Sequence, residues 1–600
     1  MPRPFSCTVL LNRLSDRMPS ALPRLLCAVF ILAWVLPCPS YAQEEDDPQE
    51  PTQQQLPEIA PREIEIRGEL QLSFPALERQ PLRGFASPAT IPSVPADRTP
   101  YAETYKQELD DLPDSLPAPE TVSQPVNTPK SPKKGLLEIG GGRYVSRFVK
   151  GRVSLPLTSQ QRLSIRTDYV GTNGFSPYEG ADVETPADDL TGAVQFESRH
   201  ENLTFLADVH GTADRYTLYG LPAAAQDTAA TAPDRAAYSG GLGLQLRTHG
   251  QIESSVRLGY DRMRYETELD PTDAGSDAAF REGRFSLRGS ATIPFAGTEA
   301  VLSASASRSA FSGAPSSSSA YTVDAGGALQ LLSTEALTVR AGGRFLGFEA
   351  PAFPSLSGSS TASATFIVPQ VRADFSVTPS LTLHAANTPG LSGSSLSSLY
   401  TENPYAQHAP SPRPTLYTTD AEAGLSLSLG PVRLRSSGGY RYAPSYRFYA
   451  APSPPARVGF RTGYDSARIL HGGAELALLG VPGVEASAGV SVRDGTLVGD
   501  DDAIPYFSPV VADAMVSVSF ADQRGLIQTT GTIESPRPVD RAETDDVRTF
   551  VSFDVEGSYE VTSLLDVVLR LRNLGPRAPK RWARYPQPPA TVMGGFRIHW

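Results

Sequence analysis

The residues with the clearest capacity for chemistry in this 600-residue chain are acidic. Asp494, Asp500, Asp501 and Asp502 crowd one loop, and Asp270, Asp273 and Asp277 crowd another. Hard cations bind several carboxylate oxygens, so a Ca²⁺ site is the chemistry such loops would offer. Neither loop has EF-hand spacing, and the plain reading is a solvated acidic loop. Tyr440, Tyr442, Tyr446, Phe448 and Tyr449 gather at one end of an alternating run. They suit either an aromatic girdle at a membrane–water interface or a stacking platform for a carbohydrate or other ligand. Nucleophile elbows, H-E-x-x-H helices and phosphate loops are missing, and His200, His210, His249, His384, His408 and His471 lie far apart in the chain. The expectation is a protein that is not an enzyme.

All three cysteines (Cys7, Cys27, Cys38) precede residue 42. There, Arg24, an apolar run of about twelve residues (25–36) and Ser40-Tyr41-Ala42 follow in the order of a secretory signal peptide. The run falls short of the roughly 20 residues a spanning helix requires. Cleavage after residue 42 leaves no cysteine, which excludes thiol catalysis, cysteine-held metals and disulfides from the mature chain. It also removes four arginines and one aspartate, taking the formal charge from −12 to −15. That balance argues against nucleic acid and anionic membrane surfaces as partners.

Residues 43–135 are rich in Pro, Glu, Asp and Gln, a composition that buries too little apolar surface to offset chain entropy. They read as an irregular periplasmic segment with a short strand at 63–74 and a short helix at 101–112. From residue 136 to 600 the pattern changes to alternating strands. Leu565, Val567, Leu569 and Leu571 interleave with Asp566, Val568, Arg570 and Arg572. Leu425, Leu427, Leu429, Val432 and Leu434 keep one parity across Gly430-Pro431. One apolar and one wet face fits a half-buried sheet as well as a barrel with a watery lumen. The connections decide between them. Short turns near 159, 201, 250, 296, 333, 379, 430, 481, 523 and 562 take turns with long polar or Pro-rich loops. The predicted fold class is therefore all-β, a transmembrane antiparallel barrel of about 22 strands. Val592, Gly594, Phe596, Ile598 and Trp600 form a last alternating strand ending on an aromatic. Phe596, Ile598 and Trp600 resemble the assembly signal read by the bacterial barrel-assembly machinery, an expected partner alongside outer-membrane lipid.

Several C-terminal segments resemble the TonB-dependent receptors: Gly473-Ala474-Glu475-Leu476, Pro505-Tyr506-Phe507-Ser508-Pro509, Ser558-Tyr559-Glu560-Val561-Thr562 followed by Arg572-Asn573-Leu574, and Tyr585-Pro586-Gln587-Pro588-Pro589. Their order and spacing carry the resemblance over roughly 434–600, and the strand count extends it to 136. The resemblance implies a receptor or transport barrel in the bacterial outer membrane. The chain departs from the family in the last of these segments, which lacks the Gly and Arg of the family's Y-P-x-P-G-R, and more so before the barrel. The 92 residues from Gln43 to Lys134 are too few for the family's plug domain, although Glu63-Ile64-Glu65-Ile66-Arg67-Gly68 is similar to a degenerate TonB-contacting box. A barrel of this size is normally plugged, so the 43–135 segment or a lumen-filling periplasmic partner is expected to close it. The alternatives are a scaffold anchoring a partner protein and a passive porin-like channel.

Overall fold

The computed structural model describes residues 134–600 apart from 179–182, 221–231, 268–278, 314–317, 351–362, 408–411, 452–458, 500 and 576–578. The expected signal peptide, strand and helix of the first 133 residues lie outside the described residues. So do Asp270, Asp273, Asp277, Asp500 and His408.

Twenty-two antiparallel strands close on themselves. The first strand, Gly135–Gly142, pairs with the second, Ser146–Pro156, and also with the last, Thr591–His599, in register from Leu136↔His599 to Gly142↔Met593. Closure leaves no sheet edge, so each wall strand has neighbours for its backbone donors and acceptors on both sides. The ten connections at one end are tight, for example 201–202, 296–297 and 430–431, and they fall where the sequence places its short turns. Gly430 adopts φ +57° between Leu429 and Val432, a left-handed conformation that a side chain would strain. Apart from 143–145 and 313–317, the opposite end carries the long connections: 173–186, 218–233, 388–418, 498–509, 535–549 and 573–590 among them.

Strand alternation sorts the wall into two faces. Leu242, Leu244, Leu258, Leu287, Leu476, Val516, Leu569 and Phe596 all point outward and are exposed. So large an apolar belt on a closed wall requires an apolar solvent. No helix among the described residues is long and apolar enough to cross a membrane. Wall strands reach 19 residues (Val432–Ala450) and 21 residues (Arg461–Val481), beyond the roughly 9–11 a bilayer requires, and so project past it at the long-loop end.

The closing seam shows what the terminal residues are for. The backbone carbonyl of Trp600 accepts from the N–H groups of Lys134 (2.7 Å) and Gly135 (3.1 Å). Its indole lies over Gly135, where an added Cβ would come within 2.1 Å of the ring and push it aside. Phe596, Ile598 and Trp600 are 54, 43 and 51% exposed, one apolar stripe on the outer face. On the inner face the tip of the Phe148 ring sits against Gly140 and Gly595, with the Arg570 guanidinium 4.3 Å from its ring. Glu138, only 1% exposed, pairs with Arg570 and with Arg597 at 2.7 Å, joining the first strand to the last two. Glu556 and Asp566 complete the network, at 3.1 Å from Arg570 and 3.7 Å from Arg597 respectively.

Candidate functional site: a folded cap and its arginine pocket

The long loops fold on one another across the barrel mouth. The connection after the thirteenth strand (Leu381–Asn387) carries a short helix, α1 (Leu396–Glu402). Ser395 caps it, its hydroxyl accepting from the Ser398 N–H while the Ser398 hydroxyl accepts from the Ser395 N–H. Leu396, Leu399 and Tyr400 are buried in one apolar cluster with Tyr265, Phe280 and Phe311, which belong to the seventh, eighth and ninth strands. The Tyr265 and Tyr400 rings stack 3.5 Å apart. The Leu396 N–H donates to Glu282 at 2.8 Å, and Glu282 also accepts from Ser309 at 2.6 Å. Arg235 of the sixth strand donates to the carbonyls of Pro404 (3.0 Å) and Ala406 (2.7 Å). Glu282 and Tyr265 have the parity opposite to exposed Leu287 and Leu258, so the helix packs on the inner wall. Its strand of origin is several places round the barrel, so this loop spans the lumen.

Aromatic rings lock the other loops to it. Tyr405 stacks on Tyr585 with centroids 3.6 Å apart. Tyr219 meets Tyr585 at 5.1 Å and Tyr405 at 6.1 Å. These three rings come from connections after the fifth, thirteenth and twenty-first strands, so they can meet only over the lumen. Phe460, Tyr506 and Trp582 extend the junction. The Tyr219 hydroxyl donates to the Pro586 carbonyl at 2.9 Å and the Tyr178 hydroxyl to the Tyr219 carbonyl at 2.7 Å. Gly220 is forced by this packing, since a Cβ there would stand 2.2 Å from the Tyr585 ring. Burial pushes the Tyr219, Tyr405 and Tyr585 phenols above their ordinary value, keeping them neutral donors.

The five aromatics expected to act together are divided by a bulge. Register shifts between Ala443 and Tyr446, where two residues oppose the single Ser466. Below the bulge Tyr440 and Tyr442 pair with Leu470 and Arg468 on the outer face. Above it Tyr446 and Phe448 pack with Ala467, Ile469, Leu497 and Ile504. Arg447 and Tyr449 take the alternate side, reaching Glu402 and the Leu399 carbonyl. The bulge therefore turns Tyr446 to the side opposite Tyr440 and Tyr442, and Tyr449 is buried in the cap.

The described aspartates of the acidic loop are likewise dispersed. Asp494 lies opposite Leu470 on the outer side of its strand, exposed. Asp502 approaches Arg541 at 3.8 Å, and Arg541 also holds Asp465 at 3.1 Å. Asp501 is exposed. Among the described residues no three His, Cys, Asp or Glu side chains form a group that could hold a metal. Two of the scattered histidines do converge: His384 and His471 approach Glu422 at 3.5 and 3.6 Å.

The arginines beneath the cap carry no signal in the sequence. A half-enclosed cavity of about 250 Å³ is lined by Arg447, Arg493, Arg537 and Arg581, by Glu402 and Glu534, and by rings including Phe507 and Trp582. These residues come from strands and loops spread over 402–582, and no local spacing marks them as one site.

A closed 22-stranded barrel with its connections sorted by length is the architecture of the TonB-dependent outer-membrane receptors. Solved structures similar to this chain include a copper transporter, OprC (14% identity, TM-score 0.58, 78% of this chain and 80% of that one). The siderophore receptor PiuA from Acinetobacter baumannii aligns at 11% identity and TM-score 0.58 over 78% and 82%. The ferric enterobactin receptor PfeA from Pseudomonas aeruginosa aligns at 12% identity and TM-score 0.55 over 78% and 80%. At such identities the likeness is one of fold. No family model and no curated protein matches the sequence.

Proposed function

We propose that the chain is a receptor or transport barrel of the bacterial outer membrane, exported with a cleaved signal peptide and inserted by the barrel-assembly machinery. It works without a plug domain of the usual size. The observation that carries this reading is the closed wall with an apolar belt outside, charged pairs inside, and mouth loops folded on one another. Folded loops favour a gated receptor over a passive porin, because the aromatic junction spans the path a freely diffusing solute would take. Residues 43–133 are the chain available in cis to fill the remaining lumen.

Planar-bilayer recording tests the reading on the full-length chain, a chain starting at Lys133, and each of these with Tyr405→Ala and Tyr585→Ala. Conductance is expected only when the segment is removed and the cap is opened together. Conductance from the truncated chain alone would assign the stopper to the segment and refute a sealing cap. Silence in every form, with a protein co-purifying at fixed stoichiometry, would move the assignment to a scaffold.

A further inference from the structure

We propose that the cavity beneath the cap is a binding site for a small oxyanion of the carboxylate or phosphate type. Four guanidinium groups and two carboxylates line it, so its walls carry a net charge of +2 (four arginines less two glutamates). Arg447 and Arg537 are only 7 and 6% exposed. The carboxylates engage part of the donor set. Arg537 gives Nη1 to Glu534 at 2.6 Å, Arg581 gives Nε to the same carboxylate at 2.9 Å, and Arg447 gives Nη2 to Glu402. Backbone carbonyls take two more donors, Arg447 Nη1 to Gly393 at 2.7 Å and Arg493 Nη2 to Ser508 at 3.0 Å.

Four buried N–H donors remain without a protein partner: Nε of Arg447, Arg493 and Arg537, and Nη2 of Arg537. The buried Ser508 hydroxyl is also unpartnered. An unmade hydrogen bond on a buried charged group is costly, and these atoms belong to four residues that line one cavity. Burial lowers the pKa of Arg537; Glu534 opposes that shift and Arg581 nearby adds to it. Water supplies acceptors but no countercharge, whereas a planar oxyanion accepts several guanidinium N–H bonds and neutralises charge together. The volume equals about eight waters at ~30 Å³ each, room for an anion up to the size of an aromatic acid. Phe507, 4.7 Å beneath the Arg493 guanidinium, and Trp582 supply a flat apolar wall for such a ring.

This inference rests on the cap and not on passage of solute, so it is tested separately from conductance. Detergent-solubilised full-length protein is titrated with inorganic phosphate and with benzoate, followed by calorimetry and by fluorescence, to which Trp582 in the cavity wall contributes. Saturable binding of at least one anion is expected, with about tenfold weaker affinity for each of Arg493→Gln and Arg581→Gln, the loss of one charge-assisted contact. Neither variant leaves a carboxylate without a cation, since Arg493 touches a carbonyl and Glu534 keeps Arg537. Heat-modifiable gel migration confirms that each variant is folded. Benzoate binding without phosphate binding assigns an organic acid, and the reverse assigns an inorganic or phosphorylated ligand. No saturable binding of either anion, or equal binding by the wild type and both variants, would overturn the proposal and leave the arginines as cap-holding groups alone.

Discussion

Replacing Tyr585 with alanine should open the cap and leave the barrel standing. Tyr585 is buried between Tyr405, Tyr219 and Phe460, with ring centroids 3.6, 5.1 and 5.9 Å away, and it belongs to a loop hairpin, not to the wall. Truncating a buried aromatic to alanine typically costs about 3–5 kcal/mol. Almost all of that loss falls on the loop junction, because the wall strands keep their hydrogen-bonded neighbours. The population with parted loops should therefore rise by about two to three and a half orders of magnitude, at roughly 1.4 kcal/mol per tenfold. The assay is labelling of whole cells by a membrane-impermeant maleimide, in a chain lacking residues 43–132, at a cysteine placed on the lumen face, Ser426→Cys. The native cysteines all lie in the expected signal peptide, so background labelling is low. Labelling should be slow in the Ser426→Cys protein and strongly accelerated when Tyr585→Ala is added, with the heat-modifiability temperature unchanged. Indistinguishable labelling rates would refute the cap as a barrier. Loss of the folded barrel would show instead that the junction supports the wall.

Alkaline pH should open the same cap: phenols whose folded pKa is raised keep their full stabilising effect below the unfolded value of 10.0 and lose it as pH climbs above that. Maleimide labelling of the Ser426→Cys protein should be flat from neutrality to mild alkali and rise beyond pH 10.0, after correction for reagent reactivity with a surface cysteine; a rise centred near neutrality would contradict this. Trp600→Asp should abolish folded protein in the envelope, because a charge would replace the last residue of an exposed apolar stripe; wild-type amounts of heat-modifiable protein would sink the idea. At the seam, Glu138→Gln should lower the temperature of the gel-mobility transition, since removing one partner of a buried ion pair costs about 3–5 kcal/mol. Glu138→Met combined with Arg570→Met should recover much of that loss, and a double variant no better than the single would show that the pair is not coupled.

Much of the wall was legible in the sequence, because a barrel strand meets two solvents and its residues alternate accordingly. Leu565 to Leu571 and Leu425 to Leu434 announced their outward faces by parity alone, and the turns at 201, 296, 430 and 523 fell where strand pairing ends. The strand count followed from that sorting and agrees with the closed wall of 22. Glycine at 135 had no meaning until the last strand placed the Trp600 ring over it. The cap was hidden for the same reason. Tyr219, Tyr405 and Tyr585 lie in irregular segments with no periodicity, and what unites them is closure, which brings connections after the fifth, thirteenth and twenty-first strands over one lumen. The bulge between Ala443 and Tyr446 divided a tyrosine cluster that looked continuous in the chain, since one extra residue reverses which face each side chain takes. The four arginines of the pocket are ordinary surface arginines by local pattern. Only the loops folded across the mouth bury them together, and it is burial that turns a guanidinium from a solvated charge into a group that demands a partner.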